Sequence, residues 1–355
     1  MYYPERGRPL IRLTISLEVK RSCVYVTEQG SKISVGNGKL VIECKNNLTR
    51  QIPIETVESL VLFGNMQITL SAQKELLERG ISTSLLSTRG HYYGRLMNTS
   101  SVNAERLKRQ VYLSDNLEQR LLFAKKTIAA KIHNQAVVAR RYTNNKTNAI
   151  IIDKLNQLQL AEKRLASAEN LEEVMGIEGS AEKNYFGVLS NVIDKDFSFI
   201  GRNRRPPKDP FNAMISLGYT IIFYEIYAEL ENQNINPYIG FTHTIQPNHP
   251  ALVSDLLEEW RAVLVDSTVM SMVQGHEIGI DEFTRDEETG GVIISSSGVR
   301  KFIGKLEKKM AADMNYLSYL DRSVSFRRGI WWQTKTLAHC IDYEQLKDYL
   351  PLRIR

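Results

Sequence analysis

At 355 residues, 43% of them apolar and 24% charged, the chain is long enough for two domains and has the composition of a folded globular protein. That mixture excludes a disordered or fibrous chain. Its 46 Lys and Arg against 40 Asp and Glu give a net charge of +6, a weak pointer to a polyanionic partner such as nucleic acid.

Cys23, Cys44 and Cys340 are odd in number and lack CxxC spacing, so neither a disulfide framework nor a cysteine-built zinc site is expected. A reducing, cytoplasmic setting fits them. The opening segment Met1–Pro9 carries no apolar core of signal-peptide length, and no later run offers 18 consecutive apolar residues. Export and membrane insertion are both disfavoured.

From Ile11 to about Asn98 the chain reads in short, β-branched runs at Ile11–Leu17, Cys23–Thr27, Lys32–Val35, Lys39–Cys44, Val57–Phe63 and Ile81–Leu86. Asn37-Gly38 tolerates positive φ and predicts a tight hairpin, hence antiparallel sheet. A short helix is expected at Ser71–Arg79, with Ser71 as cap and Gly80 as stop. After about Asn103 the period changes. Leu117, Leu121, Ala124, Ile128 and Ile132 recur every three or four residues along one helix face. Further helices are predicted at Lys154–Ala168, Leu171–Ile193, Pro210–Gln233, Ala251–Gln274, Val299–Tyr316 and Ser325–Lys347, with a small hairpin of Glu282–Thr284 and Gly291–Ser295. Asp209-Pro210 combines an N-cap acceptor with a residue whose φ suits the first helical position. The fold class expected is α+β: a β-rich domain over residues 1–100 that dimerises through exposed strand edges, then a larger all-α domain over residues 104–355.

Three features of the helical half bear on chemistry. Glu178 stands between Gly176 and Gly179, and glycine costs a helix interior about 1 kcal/mol relative to Ala, so close approach by another backbone or a ligand is one reading. An exposed glutamate beside a kink is the other. Asp255 and Glu258, three apart, share a helix face, with Glu259 turned about 100° from Glu258. His243 ends the apolar segment Pro237–His243 and joins them if that loop folds back on the helix. Carboxylate oxygens with one imidazole suit Mn²⁺ or Mg²⁺ better than zinc, and the single histidine argues against a facial iron triad. The competing reading is an acidic solvated face with a hydrogen-bonded loop histidine. His249, in the proline-flanked turn Pro247–Pro250, reads as a surface residue, and His91, His133, His276 and His339 have no comparable acidic company. Finally, Arg202, Arg204, Arg205 and Lys208 lie in the proline-stiffened loop Gly201–Pro210, where guanidinium forks match phosphate oxygens. Arg327, Arg328 and the series Lys301, Lys305, Lys308 and Lys309 extend the positive surface, or form the wet side of their helices.

Taken in order, Met175–Gly179, Arg204–Asn212, Tyr238–His243 and Asp255–Arg261 make the sequence resemble the CRISPR-associated integrase family, Cas-one, over most of its length. The resemblance implies metal ligands at Glu178, His243 and Glu258, Asp255 as an acidic neighbour or further ligand, and Tyr219 near the scissile strand, a core tyrosine being the other reading of that position. It also implies a homodimer that works with a small partner, Cas-two, on double-stranded DNA with 3′ ends, inserting new spacers into a CRISPR array by 3′-hydroxyl transesterification with Mg²⁺ or Mn²⁺. A non-catalytic DNA-binding scaffold is the alternative. On this reading Glu258 is a solvent-accessible carboxylate, removable without loss of folding, and Glu259 is a neutral neighbour.

Overall fold

The computed structural model describes residues 22–45, 48–88, 92–96, 98, 103–143 and 148–355. The expected strand Ile11–Leu17, the segment Met1–Pro9 and His91 lie outside them. The chain divides into two compact units, one of residues up to 88 with 92–98 and 318–321, the other of 89–91, 99–317 and 322–355.

The first unit contains β1 (Ser22–Val26), β2 (Lys32–Gly36), β3 (Lys39–Glu43), β4 (Thr49–Pro53), β5 (Val57–Phe63), β6 (Gln67–Ile68), α1 (Leu70–Glu78), β7 (Ser82–Leu86) and β8 (Tyr92–Leu96). They form two four-stranded sheets, ordered β1-β5-β7-β8 and β4-β3-β2-β6. The β2–β3 turn is the expected one: Asn37 and Gly38 both have positive φ, 51° and 71°, which suits a two-residue hairpin. The expected antiparallel pairing also holds for β3–β4 and β7–β8, but not throughout. β1 pairs β5 and β5 pairs β7 in parallel, because β6 and α1 form a crossover between β5 and β7 that no short turn could supply. Strand β4 escapes a β-branched search because Thr49, Arg50 and Gln51 are exposed on a sheet edge. The cap of helix α1 lies two residues earlier than expected, at Thr69, whose hydroxyl accepts from the Ala72 amide at 3.3 Å. Val24, Ile33, Leu40, Leu60 and Leu76 belong to the core of this unit.

The second unit comprises α2 (Ala104–Asp115), α3 (Leu117–Thr143), α4 (Ala149–Arg164), α5 (Leu171–Val192), α6 (Pro210–Asn232), α7 (Ala251–Trp260), α8 (Ser267–Gln274), β9 (Phe283–Arg285), β10 (Val292–Ile294), α9 (Ser296–Met310), β11 (Asp313–Met314), β12 (Val324–Ser325) and α10 (Phe326–Asp342). The fold is therefore α+β, a β-rich part followed by a mostly helical one. Asn103, Asn148, Asn170, Asp209, Ser295 and Ser325 cap α2, α4, α5, α6, α9 and α10, each side chain accepting from the amide three residues on. The predicted helix Ala251–Gln274 is not uniform: a π-helical turn, Arg261–Asp266, separates α7 from α8. Along α3, Ala124, Ile128 and Ile132 are buried as the periodicity requires, while Leu121 is half-buried and Leu117, in the first turn, is exposed. Among the described residues, no helix is long and apolar enough to cross a membrane.

Candidate active site and nucleic-acid interface

Helix α5 brings Glu178 and Glu182, one turn apart, onto the same face, and α7 brings Glu258 to meet them. One oxygen of each lies within 4.8 Å of the other two, the only such group of metal-ligating side chains among the described residues. Lys131 of α3 stands against all three. Its ammonium, 1% exposed, donates to Glu178 Oε1 and, at 2.8 Å, to Glu182 Oε2, and ion-pairs with Glu258 Oε2 at 2.6 Å. Arg261, in the π turn, reaches Glu258 Oε1 at 3.2 Å. Three carboxylates thus face two cations.

The electrostatics follow from burial and from who stands nearest. Burial opposes charge on Glu258, but Arg261 and Lys131 outweigh it and hold the carboxyl below its usual range. Lys131 likewise overcomes burial at Glu182 and holds it down to about 2. At Glu178 burial wins, aided by the charges of Glu258 and Glu182, and the carboxyl is raised. The ammonium of Lys131 is resistant to deprotonation: burial would lower its pKa, but the three glutamates raise it further.

His243 lies at the end of a loop pressed on α7 by Gly240, where an added Cβ would meet Ala251 Cβ at 2.8 Å and Asp255 Oδ2 at 2.9 Å. Asp255 then fixes the loop. Its Oδ2 accepts from the amides of Phe241 at 2.7 Å and Thr242 at 3.0 Å, and its Oδ1 from the His243 amide at 2.8 Å and ring Nδ1 at 2.6 Å. Nδ1 is thereby engaged and Nε2 is left as the ring nitrogen for chemistry. Burial lowers the imidazole pKa, but the Asp255 hydrogen bond together with the charges of Asp255 and Glu258 outweighs burial and raises it. The loop folds back as expected, yet His243 is not one of the three residues whose ligand atoms cluster. Asp255, treated from sequence as a further ligand, has both oxygens committed to the loop and is a positioning residue here.

Two other expectations change. Glu258 is buried, 4% exposed on its side chain, and ion-paired, so its removal strands Lys131 and Arg261 rather than relieving repulsion. Glu259 is no neutral neighbour. It is wholly buried and accepts from Gln333 Nε2, from Tyr349 at 2.8 Å and from the Leu352 amide at 2.7 Å, while burial pushes its carboxyl up to about 8.

The loop Gly201–Pro210 is tied down by its own polar residues. Asn212 takes the Asn203 amide at 3.1 Å and donates to Gly201 O at 3.0 Å, Asn203 donates to Asp209 at 2.9 Å, and the Val292 amide of β10 donates to Pro207 O at 2.8 Å. Arg204, Arg205 and Lys208 are left exposed, with no carboxylate partner among the described residues. Arg202 is different. Its guanidinium donates to Asn212 Oδ1 at 2.9 Å and lies over the Tyr219 ring, 5.4 Å from the centroid. Tyr219, expected near the scissile strand, is a core residue. Its hydroxyl donates to Asp266 at 2.5 Å, and Arg261 also approaches its ring, at 5.1 Å. Nor does most of the remaining basic surface stay open. Arg327 pairs with Glu225 and Glu307, Lys301 with Glu282 and Lys305 with Glu277, and Lys309 donates to Ser267.

Sequence reasoning missed Lys131, Glu182, Arg261 and His249. Lys131 sits in the apolar stripe of α3, seven after Ala124 and three after Ile128, where a lysine requires buried acids. Glu182 follows Glu178 by four. Arg261 follows Glu258 by three, but lay within the motif read only for its acids. His249, dismissed as a surface residue, has its ring 6.3 Å from that of His243 and Nε2 3.3 Å from Ser254 Oγ. Helix α5 is continuous through Gly176 and Gly179, and a Cβ at either position meets nothing within 4 Å, so the expected close approach of another backbone is not found there.

Residues 24–308 match the family described as CRISPR associated protein Cas1. The chain belongs to the Cas1 family. It is 30% identical over 319 residues to the CRISPR-associated endonuclease Cas1 of Mycobacterium tuberculosis, covering 90% of this chain and 94% of that protein. Its Cas1 fold also superposes on a casposase bound to integration product, with a TM-score of 0.79, 21% identity and coverage of 93% and 92% of the two chains. A Cas6-RT-Cas1–Cas2 complex contains the same fold at a TM-score of 0.80 and 23% identity, matched by 98% of this chain but over only 38% of the longer one.

Proposed function

We propose that the chain is a divalent-metal-dependent DNA integrase and endonuclease that inserts new spacer DNA into a CRISPR array. The observation that carries this reading is the convergence of the Glu178, Glu182 and Glu258 oxygens. An all-carboxylate set suits a hard cation, Mg²⁺ or Mn²⁺. Glu258 Oε2 is buried and faces the Lys131 ammonium at 2.6 Å without an aligned hydrogen bond.

A DNA 3′-hydroxyl attacks a target phosphodiester, or water does so in the nuclease mode; one P–O bond forms as another breaks, with no covalent enzyme intermediate. Glu178, Glu182 and Glu258 would hold the cation, which would supply charge stabilisation at the phosphoryl oxygens. His243, oriented by Asp255, presents Nε2 either as a further ligand or to pass a proton to the leaving oxygen. Arg204, Arg205 and Lys208 hold strand phosphates, and Tyr219 keeps Arg202 and Arg261 in place. The working assembly is a homodimer with a Cas2-type partner on double-stranded DNA ends in the cytoplasm; the Cas6-RT-Cas1–Cas2 complex, similar in fold, supports that partner.

Integration of a short duplex into a supercoiled plasmid, with Mn²⁺ or with EDTA, tests the proposal. Product with Mn²⁺ and none with EDTA is expected. A scaffold binds DNA under both conditions and reacts in neither, and that outcome would replace this reading.

A further inference from the structure

Lys131 is out of place by composition. It lies on the apolar stripe of the 27-residue helix α3, beside the buried Ile128 and Ile132, and is the one lysine held fully buried among the described residues. Its ammonium is in contact with one oxygen from each of Glu178, Glu182 and Glu258. Those are the same three side chains that form the candidate metal set.

We propose that Lys131 is a resident cation of the active site, sharing the Glu178, Glu182 and Glu258 carboxylates with the divalent ion and thereby setting how tightly that ion binds. The inference rests on reading the acidic triplet as the metal site. An ammonium near a divalent ion repels it, and lone pairs that Lys131 occupies are withdrawn from coordination. The same contact keeps three mutually repelling carboxylates folded together, since a buried carboxylate without a cation is costly. Lys131 is therefore a positioning and affinity-setting residue rather than a catalytic one. It acts with Arg261, whose guanidinium neutralises the far oxygen of Glu258, so that the site binds its ion reversibly.

The test measures Mn²⁺ binding by electron paramagnetic resonance of free Mn²⁺, together with melting temperature, on full-length wild type, Lys131→Met and Glu258→Gln. Lys131→Met keeps the length of the stem and removes the charge. It should bind Mn²⁺ at least tenfold more tightly than wild type, melt lower in EDTA, and gain more melting temperature from Mn²⁺. Unchanged or weaker Mn²⁺ affinity in folded Lys131→Met overturns the proposal. Glu258→Gln should lose at least tenfold in affinity; if it binds Mn²⁺ as wild type does, the acidic triplet is not the metal site, whatever Lys131→Met shows. If Lys131→Met folds in neither EDTA nor Mn²⁺, wild type labelled with ¹⁵N-lysine decides the matter. The slowly exchanging Nζ signal of the buried ammonium should shift as Mg²⁺ saturates the site, and a signal unmoved at saturation overturns the proposal.

Discussion

Asp266 shows how single buried groups hold this site together from behind. It accepts from the Tyr219 hydroxyl at 2.5 Å and the Tyr185 hydroxyl at 2.9 Å, and Tyr219 in turn places its ring by Arg202 and Arg261. Burial raises its carboxyl to about 6 against the phenol hydrogen bonds that favour the charged form. A raised acid is protonated in the fold when the unfolded chain has already ionised. Its contribution to stability is therefore full below about pH 4, lost as pH rises to about 6, and level above that, a change of about 3 kcal/mol. Asp266→Asn should flatten this part of the melting-temperature profile between pH 4 and 6, and an unaltered slope would remove Asp266 as its source. Glu259 gives a second case at this scale. Glu259→Ala leaves the donors of Gln333, Tyr349 and Leu352 buried without their acceptor, and should cost about 3 kcal/mol in denaturant unfolding. An unchanged midpoint would restore it as a neutral neighbour. The spacing of Asp255, Glu258 and Glu259 on a helix was legible in the sequence, but the partners were not. Which acid faces a metal, a loop amide or a core tyrosine depends on tertiary packing: Asp255 meets amides 12 to 14 positions before it, and Glu259 meets Tyr349, 90 positions on.

At the scale of elements, a start marked by both a cap and a proline was the most legible, whereas α4, capped by Asn148, begins at Ala149 rather than at the expected Lys154. Asp209-Pro210 starts α6 as read, because cap and first-turn φ are local properties. The π turn at Arg261–Asp266 and the parallel crossover through α1 left no local signature, since both are set by packing rather than by propensity. The loop Gly201–Pro210 falls between these cases. Its charge was visible, but its rigidity comes from Asn203, Asp209 and Asn212 bonding one another, and that bonding leaves Arg204, Arg205 and Lys208 outermost. Replacing both Arg204 and Arg205 with Ala should weaken binding to all duplex sequences about equally and reduce the slope of log affinity against log salt by about 0.9 for each lost phosphate contact. Fluorescence anisotropy over a salt series measures both. An unchanged affinity and slope would make this an ordinary solvated loop.

Over the whole molecule, composition and the change of period near Asn103 foretold a β-rich part and a helical part, while the four motifs, scattered from Met175 to Arg261, meet only through tertiary packing. Glu178 and Glu258 are 80 positions apart on α5 and α7, yet both touch Lys131 of α3. The account's central claim is that this meeting point performs metal-dependent strand transfer. The measurement that tests it most directly is Mn²⁺-supported plasmid integration by Glu258→Gln, which keeps the side-chain volume, beside wild type and Glu172→Gln, an exposed glutamate in the first turn of α5. With all three proteins folded by circular dichroism and binding DNA comparably, Glu258→Gln should give at least a hundredfold less product than wild type, and Glu172→Gln should match wild type. Equal integration by Glu258→Gln and wild type would contradict the account.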